Sequence, residues 1–309
     1  MPELIECCII AEQLQAKCAG QTIINVTSAA NLKTLKDYPF SKFSPPALIK
    51  QVLSYGKKII FILDKGYIVS APLMDGRWTF TEDPHTRCTL GLQAAQQIKL
   101  KATEVPGTQD VKDSKNTDQS NVKDAKTLTN TGNTNSPNCV QFKIYFGGPR
   151  FSGNISYTTD IKEFLSDLGP DPRHFNISTE GWRGIYRKPK LQNKLISDVL
   201  LDQSLVCGIG NWLKAEILYE AGISPYRTMA SLSDAELELC RIKYLKIQQA
   251  AYLAKGLTVH SYWAPDGTAG TYNRKIYERR VDPAGNEVRK DVDKTGKKRT
   301  HHWVPAVQK

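Results

Sequence analysis

Residues 200–219 read Leu200-Leu201-Asp202-Gln203-Ser204-Leu205-Val206-Cys207-Gly208-Ile209-Gly210-Asn211-Trp212-Leu213-Lys214-Ala215-Glu216-Ile217-Leu218-Tyr219, a helix, a tight glycine turn and a second helix. Gly208 and Gly210 let the backbone approach another segment closely. They also leave amide N–H groups at a helix start, where an anion is favoured. Asn211 follows as a side-chain donor. No Gly-Lys-Ser/Thr follows, so this is not a Walker loop. Glycine turns between helices are common, and spacing alone leaves phosphate binding and a purely structural turn both open.

The neighbouring sequence is helical on both sides. Upstream, after Leu168-Gly169-Pro170, Leu191, Leu195, Ile196 and Val199 predict one helix face. Downstream, Gly222 and Pro225 stop the helix that begins near Trp212. Ser233 and Glu236 form a capping box for a long helix with the apolar face Leu237, Cys240, Tyr244, Ile247 and Ala251, ended by Gly256.

The first part of the chain has a different texture. Leu4, Cys7, Ala11, Leu14 and Cys18 recur at helical spacing, and Gly20 closes that helix. Short β-rich runs follow at Ile23–Val26, Ile59–Leu63, Tyr67–Ser70 and Trp78–Phe80. A further pair, Val140–Phe146 and Asn154–Tyr157, flanks Gly147-Gly148-Pro149. These predict a helix packed on a β-sandwich or barrel. Lys101 to Asn138 is polar and without an aromatic residue, so it reads as a disordered insertion in that sheet. Near the end, Val281-Asp282-Pro283-Ala284-Gly285-Asn286 reads as the turn of a β-hairpin between two polar strands. The expected class is α+β in three parts: 1–165, 166–260 and 261–309.

A formal net charge of +11 favours a polyanionic partner without identifying one. The excess is late: Thr271 to Lys309 holds eleven Lys/Arg against five Asp/Glu. No apolar run approaches the roughly 18 residues of a membrane span. The start, with Glu3 and Glu6, is too acidic for a leader peptide. Seven scattered cysteines without a Cys-x-x-Cys pair fit a reducing compartment and small core residues.

The 200–219 segment closely resembles the helix-two-turn-helix signature of the formamidopyrimidine-DNA glycosylase and endonuclease VIII (Fpg/Nei) family, and Leu168-Gly169-Pro170-Asp171 resembles its interdomain segment. The resemblance implies that Asn211, with the amides of Gly208 and Gly210, grips phosphates beside a damaged nucleotide. The same motif occurs in a ribosomal protein family, so alone it implies nucleic-acid binding. Met1-Pro2-Glu3-Leu4 resembles the family's start. There Met is removed and the proline amine becomes the nucleophile. Such an amine has a pKa of roughly 8, which leaves some free base at neutral pH. It can attack C1′ of the deoxyribose and displace the base, leaving an iminium that acidifies the 2′ protons. Glu3 can protonate the sugar oxygen and shuttle protons. Lys57, in Tyr55-Gly56-Lys57-Lys58-Ile59, best matches a catalytic-site lysine that contacts the lesion's phosphates, with Lys58 as the alternative. Arg299 matches the arginine of a C-terminal hairpin that clamps the flipped nucleotide's phosphate.

Most members build that hairpin around four cysteines and zinc. This chain has no cysteine after Cys240, so it resembles the zincless-finger branch, and no metal or cofactor is expected. Adjacent histidines on a strand face opposite ways, so His301 and His302 are not read as ligands. Packing of Trp303 and Val304 must then hold the hairpin. Met74 resembles the methionine that fills the gap left by an everted base. Arg150 and Phe151 stand where the family's void-filling loop falls, with the alignment shifted. The implied function is excision of oxidised bases followed by β,δ-elimination in base excision repair. The substrate is damaged double- or single-stranded DNA and the protein a monomer. Its place is the nucleus in a eukaryote and the cytoplasm otherwise. The alternative is a catalytically inactive DNA- or RNA-binding relative.

Overall fold

The computed structural model describes residues 2–28, 42–94, 142–150, 153–258, 263–292 and 299–309. The insertion read at 101–138, Phe151 and Cys139 lie outside them. The fold begins with helix α1 (Leu4–Cys18), whose apolar positions form two faces rather than the one expected. Cys7, Ile10, Ala11, Leu14 and Cys18 pack into the core of the sheet. Leu4, Ile5 and Ile9 pack into a second core built from the helices beyond residue 180. Each aliphatic side chain buried this way contributes about 1.5–3 kcal/mol, so α1 joins two cores through a dry wedge.

Eight antiparallel strands follow: β1 (Gln21–Ser28), β2 (Ala47–Tyr55), β3 (Lys58–Leu63), β4 (Gly66–Ala71), β5 (Arg77–Thr79), β6 (Thr86–Ala94), β7 (Phe142–Gly147) and β8 (Asn154–Thr158). Their order is β5-β7-β6-β1-β2-β3-β4-β8. The β1–β2 seam pairs only Thr22 with Leu48 and Ile23 with Ala47, and the sheet folds over there into two layers. Trp78 of β5 crosses between the layers. Its ring centre lies 5.0 Å from that of Phe61 on β3, and its Nε1 donates to Ser70 Oγ on β4 at 3.1 Å. Strands β2 and β6 were not read from the sequence. Lys50 and Gln51 interrupt the apolar alternation of β2 where its pairing with β3 shifts register between Ile49 and Gln51, and a similar shift between Thr86 and Cys88 breaks β6.

Helices α2 (Lys162–Leu165), α3 (Thr179–Tyr186), α4 (Ile196–Leu200), α5 (Asn211–Glu220) and α6 (Asp234–Leu253) form the second unit. The single helix face expected from Leu191 to Val199 is corrected. Pro189–Leu191 is one 3-10 turn, and α4 starts afresh after Leu195. Pro189 fixes the first turn, and the intervening backbone bonds elsewhere: Ala230 N and Met229 N donate to the carbonyls of Gln192 and Lys194. Helix α6 has the predicted Ser233–Glu236 capping box and buries Leu237, Cys240, Tyr244, Ile247 and Ala251.

The C-terminal hairpin is also corrected. Its ladder joins β9 (Arg289–Val292) to β10 (Thr300–Trp303), with Thr300 opposite Val292. The Asp282-Pro283-Ala284-Gly285 turn is closed by a single bridge from Val281 to Glu287. Asp282 seals it by accepting the N–H groups of Ala284 and Asn286. Val304 is fully buried and Trp303 half-buried, as expected of the residues that seat the hairpin. The six described cysteines are free and buried. No helix among the described residues is long and apolar enough to cross a membrane.

Candidate active site

Helix α5 begins without a capping side chain of its own, since Gly210 precedes it. Its free N–H groups, the positive end of the helix dipole, are met by Glu3 from the start of the chain. Oε1 accepts from Trp212 N at 3.0 Å; Oε2 accepts from Gly210 N at 2.8 Å and Leu213 N at 3.2 Å. The anion at this helix start is therefore the protein's own carboxylate. The second glycine amide is occupied too, because Gly208 N donates to Gln203 Oε1 at 2.9 Å. The phosphate expected at Gly208 and Gly210 is corrected accordingly. These glycines position Glu3, and a Cβ on Gly210 would lie 2.2 Å from the Glu3 carboxyl.

Glu3 is only 2% exposed. Burial favours its neutral form and raises its pKa to about 7, while Lys57 and the helix amides oppose that rise. Glu6, buried one turn on, accepts from Glu3 N at 2.9 Å and is likewise pushed up by burial. Pro2 is buried beside them in sequence.

Lys57 reaches this point from the β2–β3 turn. Its Nζ donates to Ile209 O at 2.8 Å, inside the glycine turn, where Gln203 Nε2 donates to the same oxygen. Burial lowers its pKa; Glu3 opposes that shift, and Arg299 adds to it from beside the start of β10. The turn that carries Lys57 is fixed by Asp171, which is fully buried and accepts from Gly56 N at 2.7 Å. Gly56 has φ +56°, and a Cβ there would meet Cys207 Sγ at 3.0 Å. Tyr55 and His174 stack at 6.0 Å, and Tyr55 OH donates to Gly169 O, so the 168–174 segment ties the turn to the helical unit.

Asn211 opens α5. Its Oδ1 accepts from Lys214 Nζ at 2.8 Å, its Nδ2 donates to Thr300 O at 3.1 Å, and it reaches the Tyr277 hydroxyl. The structure thus brings Glu3, Lys57, Asn211 and Arg299 together from four separate parts of the chain. Met74 and Arg150 lie on two loops joined by Asp75, whose carboxylate accepts from Arg150 N. Met74 is 49% exposed and follows Leu73, which holds a left-handed φ of +51°. Sequence reading missed Asp171 as a bracket for Lys57. It also missed Glu216, which is buried in α5 and accepts the N–H groups of Lys275, Ile276 and Tyr277. A buried-type spacing of acids in an otherwise apolar helix was the available signal.

Three family profiles cover most of the chain: the formamidopyrimidine-DNA glycosylase N-terminal domain over residues 1–108, its H2TH domain over 168–262 and its C-terminal domain over 268–309. The chain belongs to the Fpg/Nei family. A formamidopyrimidine-DNA glycosylase of an Exiguobacterium species is 26% identical over 284 residues, spanning 90% of this chain and 87% of that protein. An endonuclease 8 of an Enterobacter species is 33% identical over 94 residues, 30% of this chain and 36% of that protein. The crystal structure of MutM (Fpg) from Thermus thermophilus superimposes with a TM-score of 0.74 at 24% identity, covering 99% of this chain and 98% of that one. Lactococcus lactis Fpg, solved in complex with DNA containing an abasic site, gives 0.72 at 20% identity with 99% of each chain covered. These two likenesses establish the Fpg/Nei fold. Among the described residues no group of three His, Cys, Asp or Glu could hold a metal ion. His301 and His302 are both buried, one against Lys214 and Tyr226, the other against the Tyr277 ring.

Proposed function

We propose that this Fpg/Nei protein is a DNA glycosylase of base excision repair that removes oxidised bases and then cleaves the abasic site, with the amine of Pro2 as nucleophile once Met1 is removed. The observation that favours this is the junction at Glu3: a buried carboxyl with a pKa near neutrality, one residue from Pro2 and within the electrostatic reach of Lys57. A group that is half-protonated near pH 7 can give a proton and take it back.

In the proposed sequence the Pro2 nitrogen lone pair attacks C1′ of the damaged nucleotide. The base departs with the glycosidic electron pair and takes up the proton that the Pro2 nitrogen loses. The nitrogen lone pair then opens the C1′–O4′ bond as Glu3 gives its proton to O4′. The resulting iminium between Pro2 and C1′ withdraws electrons from C2′. Loss of a C2′ proton then expels the 3′ phosphate, and a second elimination expels the 5′ phosphate. Lys57, Asn211 and Arg299 are assigned to phosphates around the flipped nucleotide. Met74 and Arg150 are assigned to the vacated stack. The division at 165/166 and 260/261, a monomeric state and a zincless hairpin complete the proposal.

Borohydride trapping on an abasic duplex tests it. Reduction should fix one protein chain to one DNA strand, and an uncleaved N-terminal tag should abolish the adduct while leaving affinity nearly unchanged. Pro2→Gly should retain weak trapping through a primary amine. Full trapping by a permanently tagged chain rejects the nucleophile assignment, and an untrappable but DNA-binding native chain indicates the inactive relative.

A further inference from the structure

Lys214 is 1% exposed, in the first turn of α5, and the chemistry described above does not use it. An ammonium buried that deeply is costly unless it is paired and hydrogen-bonded. Its Nζ donates to Asn211 Oδ1 at 2.8 Å and lies 3.2 Å from His301 Nδ1. We infer that Lys214 is a positioning residue that fixes which way the Asn211 amide faces and how far it stands from Arg299. This rests on the reading of Asn211 and Arg299 as phosphate ligands.

The argument is one of donors and acceptors. An asparagine amide has an oxygen that accepts and a nitrogen that donates, and the two ends are nearly identical in shape. An ammonium only donates, so Asn211 must turn its oxygen to Lys214. Nδ2 is then forced towards β10, where it meets Thr300 O and the Tyr277 hydroxyl. A phosphate needs that donating end, and Arg299 immediately precedes Thr300, the first residue of that strand. Contact with His301 holds the other side of the strand, with the ring nitrogen accepting. One cation thereby spaces two ligands that belong to different parts of the chain. An apolar residue of the same length would fill the space and leave the amide free to turn over.

The test is a double-mutant cycle on a duplex carrying a tetrahydrofuran abasic analogue, with borohydride trapping on a natural abasic duplex as the second readout. Lys214→Met should weaken affinity about tenfold, the scale of losing a charge-assisted hydrogen bond. Trapping at saturating DNA should change by less than about twofold, and adding the substitution to Asn211→Ala should also cost less than about twofold, because the two act as one unit. Lys214→Arg should restore binding, and the salt slope should be the same in all Lys214 variants. Additive losses, or a slope flattened by about one unit in Lys214→Met, overturn the inference. So does failure of both Lys214 variants to fold, which would make the residue one of core stability. Parent-like affinity in Asn211→Ala instead overturns the phosphate reading itself, and the inference with it.

Discussion

The Glu3 carboxylate caps the helix that begins at Asn211, with its Oε1 3.0 Å from Trp212 N. A residue at the start of the chain thus completes an element that begins more than two hundred positions later. Capping draws the carboxylate towards its charged form, and burial draws it further towards its neutral form.

Because its pKa stands at about 7, Glu3 carries a proton below that pH and has lost it above. Single-turnover excision of an oxidised base needs Glu3 protonated and the Pro2 amine, with a pKa of roughly 8, free. It should therefore level off between about pH 7 and about pH 8 and fall above that, approaching about tenfold per unit, if Glu3 is the acid. Glu3→Gln should remove this limb together with activity. The neutral carboxyl also contributes stability that is fully present below the pH at which an unfolded glutamate ionises, and that is lost as pH rises through about 7. The melting temperature of Glu3→Gln should be flatter across that window. An unchanged profile in both measurements assigns the proton to another group.

If Lys57 and Arg299 each neutralise a phosphate, replacing either by alanine should flatten the log–log dependence of affinity on salt by about one unit. Asn211→Ala should weaken binding at the same slope. Titration on abasic duplexes between low and physiological salt reads this directly. A slope indifferent to both cationic substitutions places the counterion release elsewhere on the basic C-terminal segment.

Three glycine-to-alanine changes separate strain from contact. Gly56→Ala imposes a left-handed residue, costing about 1–2 kcal/mol, and presses on Cys207, so it should lower the melting temperature and slow trapping by displacing Lys57. Gly210→Ala collides with Glu3 itself and should cost more on both counts. Gly184, inside α3, has nothing within 4 Å of a new Cβ, and Gly184→Ala should stabilise by about 0.5–1 kcal/mol without touching activity. Thermal melts and trapping rates on the three proteins decide it.

The hairpin stands on side chains. Asp291 Oδ2 accepts from Trp303 Nε1 at 2.7 Å and from the Tyr226 hydroxyl at 2.9 Å, and the Tyr226 ring meets Trp303 edge-on. Elemental analysis should find no stoichiometric zinc, and EDTA should leave activity intact; one tightly held zinc with activity lost on its removal reverses this. Burial and nearby cations depress the His302 pKa to about 4. The stability of its neutral ring is present above the pH at which an unfolded histidine titrates and is lost as pH falls towards 4. His302→Phe should flatten the acid limb of the melting curve.

Periodicity was enough for α1, α5 and α6, because each turn of these helices puts at least one apolar residue into the core, even where Glu6, Lys214 and Glu216 are buried beside it. It failed where backbone partners override pattern, as at Pro189–Ile196 and the register shifts of β2 and β6. Among site residues, Glu3, Lys57, Asn211 and Arg299 were nameable from motifs. Their mutual arrangement was not, since the anion that answers the Gly210 amide lies at the far end of the chain. Asp171 and Lys214 act through buried hydrogen bonds that leave no spacing signature, and Glu216 left only the signal of an acid among the apolar residues of α5.

The wedge made by α1 also bears on how the protein is made. Residues 2–18 are synthesised long before residues 208–257, yet Glu3, Leu4 and Glu6 meet their partners only once those later residues have been made. Domains tend to fold in order of synthesis, and contacts distant in sequence form late. Residues made early are therefore among the last to be locked in place. A chain arrested or cut before residue 182 would expose Leu4, Ile5 and Ile9 with no core to receive them, an apolar segment open to chaperones and proteases.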